Sequence, residues 1–510
     1  ALTAPPAAAQ ACVGTVDAPA GRICGLAVPA TPNTQRTLYN YRGIPYARPP
    51  VGDLRFSAPR PHRPWTHLRR ATAFGAICPQ DGTATGDAED CLFLNVWTPA
   101  LDAARRPVMV YLHGGAHSHG SGSDPLYDGG HLVRRGDVVV VTLNHRLAAL
   151  GYAYLAQLGG PAESGNVGNL DIILALTWVR DNIVRFGGDP KRVMLFGQSG
   201  GGAKVVTLMA MAEARPLFHA AATMSGQHVT AAGPNHATLR ARAWMEKAGA
   251  PDMATLRTMP IAKLVAAMGM TDPIERKGEI SFTSTLDHTT LLRHPFYPDA
   301  PREAAHIPLI IGNTHDETGY WLGEALKRGD TDWANLPERL MREMTRDVGV
   351  EHVIARYRAL YPDRTPGQIL LAASTAGRSW PGHLIQAEER ARIGAPTWMY
   401  QLDFPAPEAG GVLGAFHTLD IPLAFDNSGQ PGARTGDGPD ARRLAGAMAD
   451  AFIRLARTGD PNGGGLPAWP HYDLARRATM IFDRTVRVEN DPRGEERRLF
   501  EVAPYIKPGG

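Results

Sequence analysis

The chain has 510 residues, 44% of them hydrophobic and 20% charged, with a formal net charge of +3; it can support a large core as two domains or as one large α/β unit. So small a charge leaves no electrostatic footprint for nucleic acid or an acidic membrane surface, and the pairs Arg69-Arg70 and Arg105-Arg106 read as isolated, solvated surface. No apolar run approaches the roughly 20 residues of a membrane-crossing helix, and 55 glycines with 42 prolines imply many turns rather than long bundles.

Residues 1–10 are rich in Ala and Pro but lack the basic and apolar regions of a signal peptide, so any such peptide is expected to have been removed already. Four cysteines form two near pairs, Cys12 with Cys24 and Cys78 with Cys91, which favours short disulfide loops in an oxidising compartment over reduced core thiols. No C-x-x-C or Cys/His cluster suggests a metal. No N-x-S/T acceptor is present either, so a bacterial periplasmic or secreted protein fits best.

Residues 12–46 alternate short β-type runs with turns and predict an antiparallel hairpin. Strands are expected at 90–97, 107–113 and 137–143, the last two apolar throughout, as at the centre of a sheet covered on both faces. Residues 171–186 carry apolar positions at Ile172, Leu176, Val179 and Ile183 and predict a helix, stopped by Gly187-Gly188-Asp189-Pro190. A strand over 193–196, a tight turn and a helix over 202–211 follow, giving α/β alternation. Further strands are expected at 220–225, 306–312, 396–404 and, as a terminal pair, 479–488. Helices are expected at 235–248, at 253–268 with a break at Pro260, at 336–360 with a weak point at Gly349, and at 441–457. Residues 271–301 read as irregular, and 429–439 as a surface loop. The domain reading is a single unit with pocket-shaping insertions at about 230–300 and 325–395.

The turn between 196 and 202 is Gly197-Gln198-Ser199-Gly200-Gly201. A serine hydroxyl is a poor nucleophile at neutral pH, and a G-x-S-x-G turn between strand and helix exposes it to a base. Such chemistry also needs that base, a group to orient it, and N–H donors aimed at the tetrahedral oxyanion. Gly114-Gly115-Ala116 follows a strand directly and, with Gly200, offers the donors. Asp316 and Glu317 follow another strand, and either could supply the carboxylate. His417 comes later. The order Ser, acid, His is that of the α/β-hydrolases.

The chain resembles the type-B carboxylesterases, which include the cholinesterases. The resemblance rests on linked blocks over most of its length: Asp90-Cys91-Leu92-Phe93-Leu94-Asn95-Val96, His113-Gly114-Gly115-Ala116, Leu143-Asn144-His145-Arg146-Leu147, Gly165-Asn166-Val167-Gly168-Asn169-Leu170-Asp171, Phe186-Gly187-Gly188-Asp189-Pro190 and Thr458-Gly459-Asp460-Pro461-Asn462. It implies an α/β-hydrolase fold, a large mostly parallel central sheet with helices on both faces and an N-terminal antiparallel hairpin. It also implies ester hydrolysis through an acyl-enzyme, with Ser199 as nucleophile, His417 as base and acid, Glu317 as the orienting carboxylate, and Gly115, Ala116 and Gly200 at the oxyanion positions. No cofactor or metal is implied. His113 and His145 read as structural, Ser225 as a strand-end turn serine with a hydrogen bond near the triad as its alternative, and Arg146 with Asp171 as a buried ion pair.

Three departures bear on substrate. The 12 residues between Cys78 and Cys91 contain no aromatic residue, whereas cholinesterases carry there a tryptophan that holds a quaternary ammonium. Gln198 stands where the family usually has glutamate, and His117-Ser118-His119 where it has an apolar or aromatic pair. Both make the site less anionic, so the expected substrate carries carboxylates, met by His117 or His119 with Gln198 alongside. Esterases that remove tricarballylate from fumonisins form one branch with such a substrate. A generalist esterase for neutral esters, a peptidase and a non-catalytic cholinesterase-like adhesion protein are the rival readings.

Overall fold

The computed structural model describes residues 11–30, 37–81, 89–276 and 278–505. The signal-peptide reading of residues 1–10, and the stretch 82–88 inside the Cys78–Cys91 loop, lie outside the described residues.

One sheet runs through the molecule. Its strands are β1 (Val13–Ala18), β2 (Gly21–Val28), β3 (Leu38–Pro45), β4 (Trp65–Arg70), β5 (Phe93–Thr98), β6 (Arg106–Leu112), β7 (Val139–Leu143), β8 (Gly188–Gln198), β9 (Ala220–Met224), β10 (Leu309–Thr314), β11 (Thr397–Leu402), β12 (Ala478–Phe482) and β13 (Arg487–Asn490). The order is β1-β2-β3-β5-β7-β6-β8-β9-β10-β11-β12-β13, with β4 paired to β2. From β7 to β12 neighbouring strands are parallel, while β1, β2, β3 and β5 form an antiparallel flank. The hairpin expected at the N-terminus is thus a meander that continues into the main sheet.

Alternation along the central strands builds a core on each face, because successive side chains point to opposite sides. Val108, Val110 and Leu112 of β6 join Val193 and Leu195 of β8 under the helix Val167–Asn182, through Ile172, Leu176 and Val179. Met109 and Tyr111 join Met194 and Phe196 on the other face, under the helix Pro439–Thr458, through Leu444, Met448 and Phe452. Burial on both faces explains why these strands read as unbroken apolar runs.

Two disulfides, Cys12–Cys24 and Cys78–Cys91, tie the antiparallel flank together, with Cα separations of 5.4 and 5.0 Å. One surface reading needs correction. Arg106 is only 7% exposed; its guanidinium spans Asp102 (2.9 Å) and Asp137 (2.9 Å), which keeps the buried charge paired. No helix among the described residues is long and apolar enough to cross a membrane.

Candidate active site

The parallel strands end at one edge of the sheet, where crossovers leave loops free to carry ligand-facing groups. The turn after β8 holds Ser199 at φ 56°, ψ −123°, a conformation costly for a residue with a side chain. It persists because the surroundings fix it. Ser199 N donates to Met224 O of β9 (2.7 Å), and Ala203 N donates to Ser199 O (2.9 Å). The neighbouring glycines allow the close approach: a Cβ on Gly200 would lie 1.7 Å from Ala116 O, and one on Gly201 2.0 Å from Leu112 O.

The loop after β6 turns through Gly115 (φ 81°) and Ala116 (φ 52°). Three successive carbonyls are tied down. Gly115 O accepts from Ser118 N (3.0 Å) and His119 N (3.1 Å), Ala116 O from Lys204 Nζ (2.8 Å), and His117 O from Ala148 N (2.6 Å). With their carbonyls anchored, Gly115 and Ala116 donate their N–H groups to no acceptor among the described residues. Gly200 N–H heads the helix Gly200–Ala210, where the first donors lack intrahelical acceptors. Three N–H groups are therefore available beside Ser199.

Glu317 lies just past β10 and is fully buried. One carboxylate oxygen bonds His417 Nδ1 closely, and the other accepts from Ser225 Oγ (2.5 Å) and Thr314 N (3.0 Å). Burial pushes the carboxyl pKa up, but the adjacent His417, the bond to it and the Ser225 hydroxyl hold it below the usual carboxylate value. Of the two neighbouring acids, Asp316 turns away, to His315 Nδ1 (2.9 Å) and Ala415 N (3.0 Å). Ser225, for which the sequence favours a strand-end turn role with a hydrogen bond near the triad as the alternative, touches the acid directly, and its own N–H donates to Gly312 O (2.7 Å).

Because Nδ1–H faces Glu317, His417 presents Nε2 as an acceptor. Gln198 Nε2 lies 3.3 Å from it. In this resting geometry the nitrogen is engaged by Gln198 rather than by Ser199 Oγ; such bonds often realign only when substrate binds.

The other predicted histidines diverge. His113 and His145 stack at 4.8 Å, both fully desolvated, which holds both imidazoles neutral. His117 turns inward, edge-on to Tyr152 (4.7 Å) and 3.4 Å from Ser284 Oγ, so His119 is the one that reaches solvent. Arg146 and Asp171 form the expected buried pair, through bonds of 2.8 and 2.7 Å.

Sequence reasoning missed several neighbours. Trp321 and Tyr320 are about half exposed, with ring centres 5.0 and 6.0 Å from that of His417. The signal was available, since they follow Glu317 by one helical turn. Arg378, in the π-turn Thr375–Ser379, lies 5.0 Å over the Trp321 ring and pairs with Glu343 (2.9 Å). His383 is buried within electrostatic reach of Glu317 and His417, and burial lowers its pKa to about 4. No sequence pattern pointed to it.

A parallel sheet with a strained serine between strand and helix, a carboxylate–imidazole pair and free N–H groups at the same edge defines an α/β-hydrolase. The sequence profile described as "Carboxylesterase family" matches residues 13–500, and the chain belongs to that family. It is 35% identical to the para-nitrobenzyl esterase of Bacillus subtilis (strain 168), over 92% of this chain and 96% of that one. It is 34% identical to the phenmedipham hydrolase of Pseudarthrobacter oxydans, over 89% and 93%. The crystal structure of the Geobacillus stearothermophilus carboxylesterase at pH 6.2 superposes with a TM-score of 0.83 at 35% identity, covering 95% of this chain and 99% of that one. The protein is accordingly an ester-hydrolysing enzyme.

Proposed function

We propose that Ser199, His417 and Glu317 form the catalytic triad, that Gly115, Ala116 and Gly200 donate to the oxyanion, and that the preferred esters carry carboxylate groups. Ser199 Oγ attacks the ester carbonyl as His417 Nε2 takes its proton; the tetrahedral oxyanion collapses, and His417 returns the proton to the departing alcohol. Water then repeats the sequence on the acyl-enzyme. Glu317 keeps the imidazole in the tautomer with Nε2 bare and stabilises the imidazolium. Each oxyanion donor is worth roughly 10²–10³ in turnover.

The observation that carries the substrate reading is the charge around His417. Its carboxylate partner sits at Nδ1, behind the ring, whereas the group at Nε2 is the uncharged Gln198. His119 lies against Gly115 as a neutral hydrogen-bond donor, and Arg378, paired with Glu343, stacks on the Trp321 ring that faces His417. Such a surround favours an anionic acyl or alcohol part, and tricarballylate esters like those of fumonisins belong to this class. The disulfides support a secreted or periplasmic setting; the bacterial relatives support a bacterial source.

Matched neutral and polycarboxylate esters of one alcohol, compared in wild type and His119→Phe, test the preference. The polycarboxylate ester is expected to lead by about tenfold in kcat/KM, the worth of one hydrogen bond to a carboxylate, and to lose most of that lead in the variant. Equal selectivity in both proteins would overturn the reading at His119, and no lead in the wild type would show a generalist for neutral esters.

A further inference from the structure

Lys204 is fully buried in the helix Gly200–Ala210, one turn beyond Gly200. Among the described residues no carboxylate pairs with it; its bond is to Ala116 O, 2.8 Å away. The Ala116 carbonyl is thus held between the Lys204 ammonium and the Cα of Gly200, where no Cβ would fit. Ala116 itself has φ 52°, a value that an alanine leaves unless it is held.

We propose that Lys204, in its ammonium form, is a positioning residue of the oxyanion hole: it holds the Ala116 carbonyl, and thereby turns the Gly115 and Ala116 N–H groups toward the reacting ester. The inference rests on the assignment of those N–H groups as oxyanion donors. A charged donor makes the stronger hydrogen bond, and a cation beside the loop favours the anion that forms there. The titratable groups facing Lys204 are His113 at the end of β6, His145 past β7 and His119 in the loop, and burial lowers the pKa of each. Being neutral, they do not compensate the charge, and burial brings the Lys204 pKa down from 10.5 to about 7. The ammonium form is therefore full at acid pH and lost as pH rises through neutrality.

The test is kcat and KM of Lys204→Met for p-nitrophenyl acetate at pH 6.5 and pH 8.5, beside wild type and Ser199→Ala. The expected result is a loss of about 10–100-fold in kcat at pH 6.5, within the range for an oxyanion contact, with KM little changed and the deficit shrinking at pH 8.5. Lys204→Gln keeps a neutral donor and serves if the Met variant does not fold; a smaller loss with the same pH trend is expected. Wild-type kcat, or a deficit equal at both pH values, overturns the proposal, because lost packing does not titrate. If Ser199→Ala keeps turnover, the serine mechanism itself fails. If it is inactive while Lys204→Met matches wild type, only the role of Lys204 fails.

Discussion

Three residues past His417, Asp420 is buried, with Oδ2 accepting from the Tyr400 hydroxyl (2.7 Å) and Oδ1 unpartnered. Burial pushes its pKa up to about 7; the Tyr400 bond opposes this rise and the charge of Glu317 adds to it. The unfolded chain releases this proton near the ordinary carboxylate value, so the folded state is penalised increasingly as pH rises, most fully above about 7. Asp420→Asn keeps an oxygen for Tyr400 and removes the charge. It should therefore gain stability at pH 8, by up to about 4 kcal/mol, and little at pH 4. Urea unfolding at the two pH values checks this, and an equal effect at both contradicts it. Glu317 has the opposite sign: its lowered pKa contributes stability above the ordinary carboxylate range that is lost as pH falls through the folded value. Glu317 was legible because acid and histidine each stand in a recognisable run. Ser225 was legible only as an alternative, and Lys204 and His383 were not, since each acquires its role by approach from a distant segment.

The central strands were legible as elements because burial on both faces leaves no polar alternation to confuse them. Other boundaries moved. The expected helix at 171–186 is an α-helix over Val167–Asn182 followed by a 3₁₀ turn, Ile183–Phe186. Its polar first turn hid its start: Asn169 is buried and donates to Ser284 Oγ (2.9 Å). Gly187, at φ 78°, ends the helical run as expected, but Gly188 already pairs with Arg106 as the start of β8. Helices Gly319–Arg328, Pro366–Ser374 and Pro381–Arg392 were not read, the last two being separated by the π-turn. The Arg146–Asp171 pair joins the loop after β7 to the helix Val167–Asn182. Asp171→Asn leaves a buried guanidinium without its counter-charge and should cost about 3–5 kcal/mol. Chemical denaturation measures it; a loss under 1 kcal/mol would show that the bonds from Arg146 to Leu54 O and Ser57 O suffice.

At the scale of the molecule, one sheet gathers residues far apart in sequence at the ends of its parallel strands. The loop after β6 supplies N–H groups, the turn after β8 the hydroxyl, the end of β9 Ser225, and the turn after β10 the carboxylate. Chain order alone suggested this assembly, because α/β alternation sends each loop to the same edge. Of the surround of His417, Tyr320 and Trp321 were within reach of the sequence, one helical turn past Glu317, whereas Arg378 and His383 were illegible, since they depend on how the helices between β10 and β11 fold back over the site.

The central claim is that Ser199 carries the acyl group. Treatment with an organophosphate such as diisopropyl fluorophosphate, followed by intact and peptide mass spectrometry, tests it most directly. The account predicts one phosphoryl adduct per chain, located on Ser199, with activity lost in step and no adduct in Ser199→Ala. Labelling that persists in Ser199→Ala, or full activity in that variant, would contradict it.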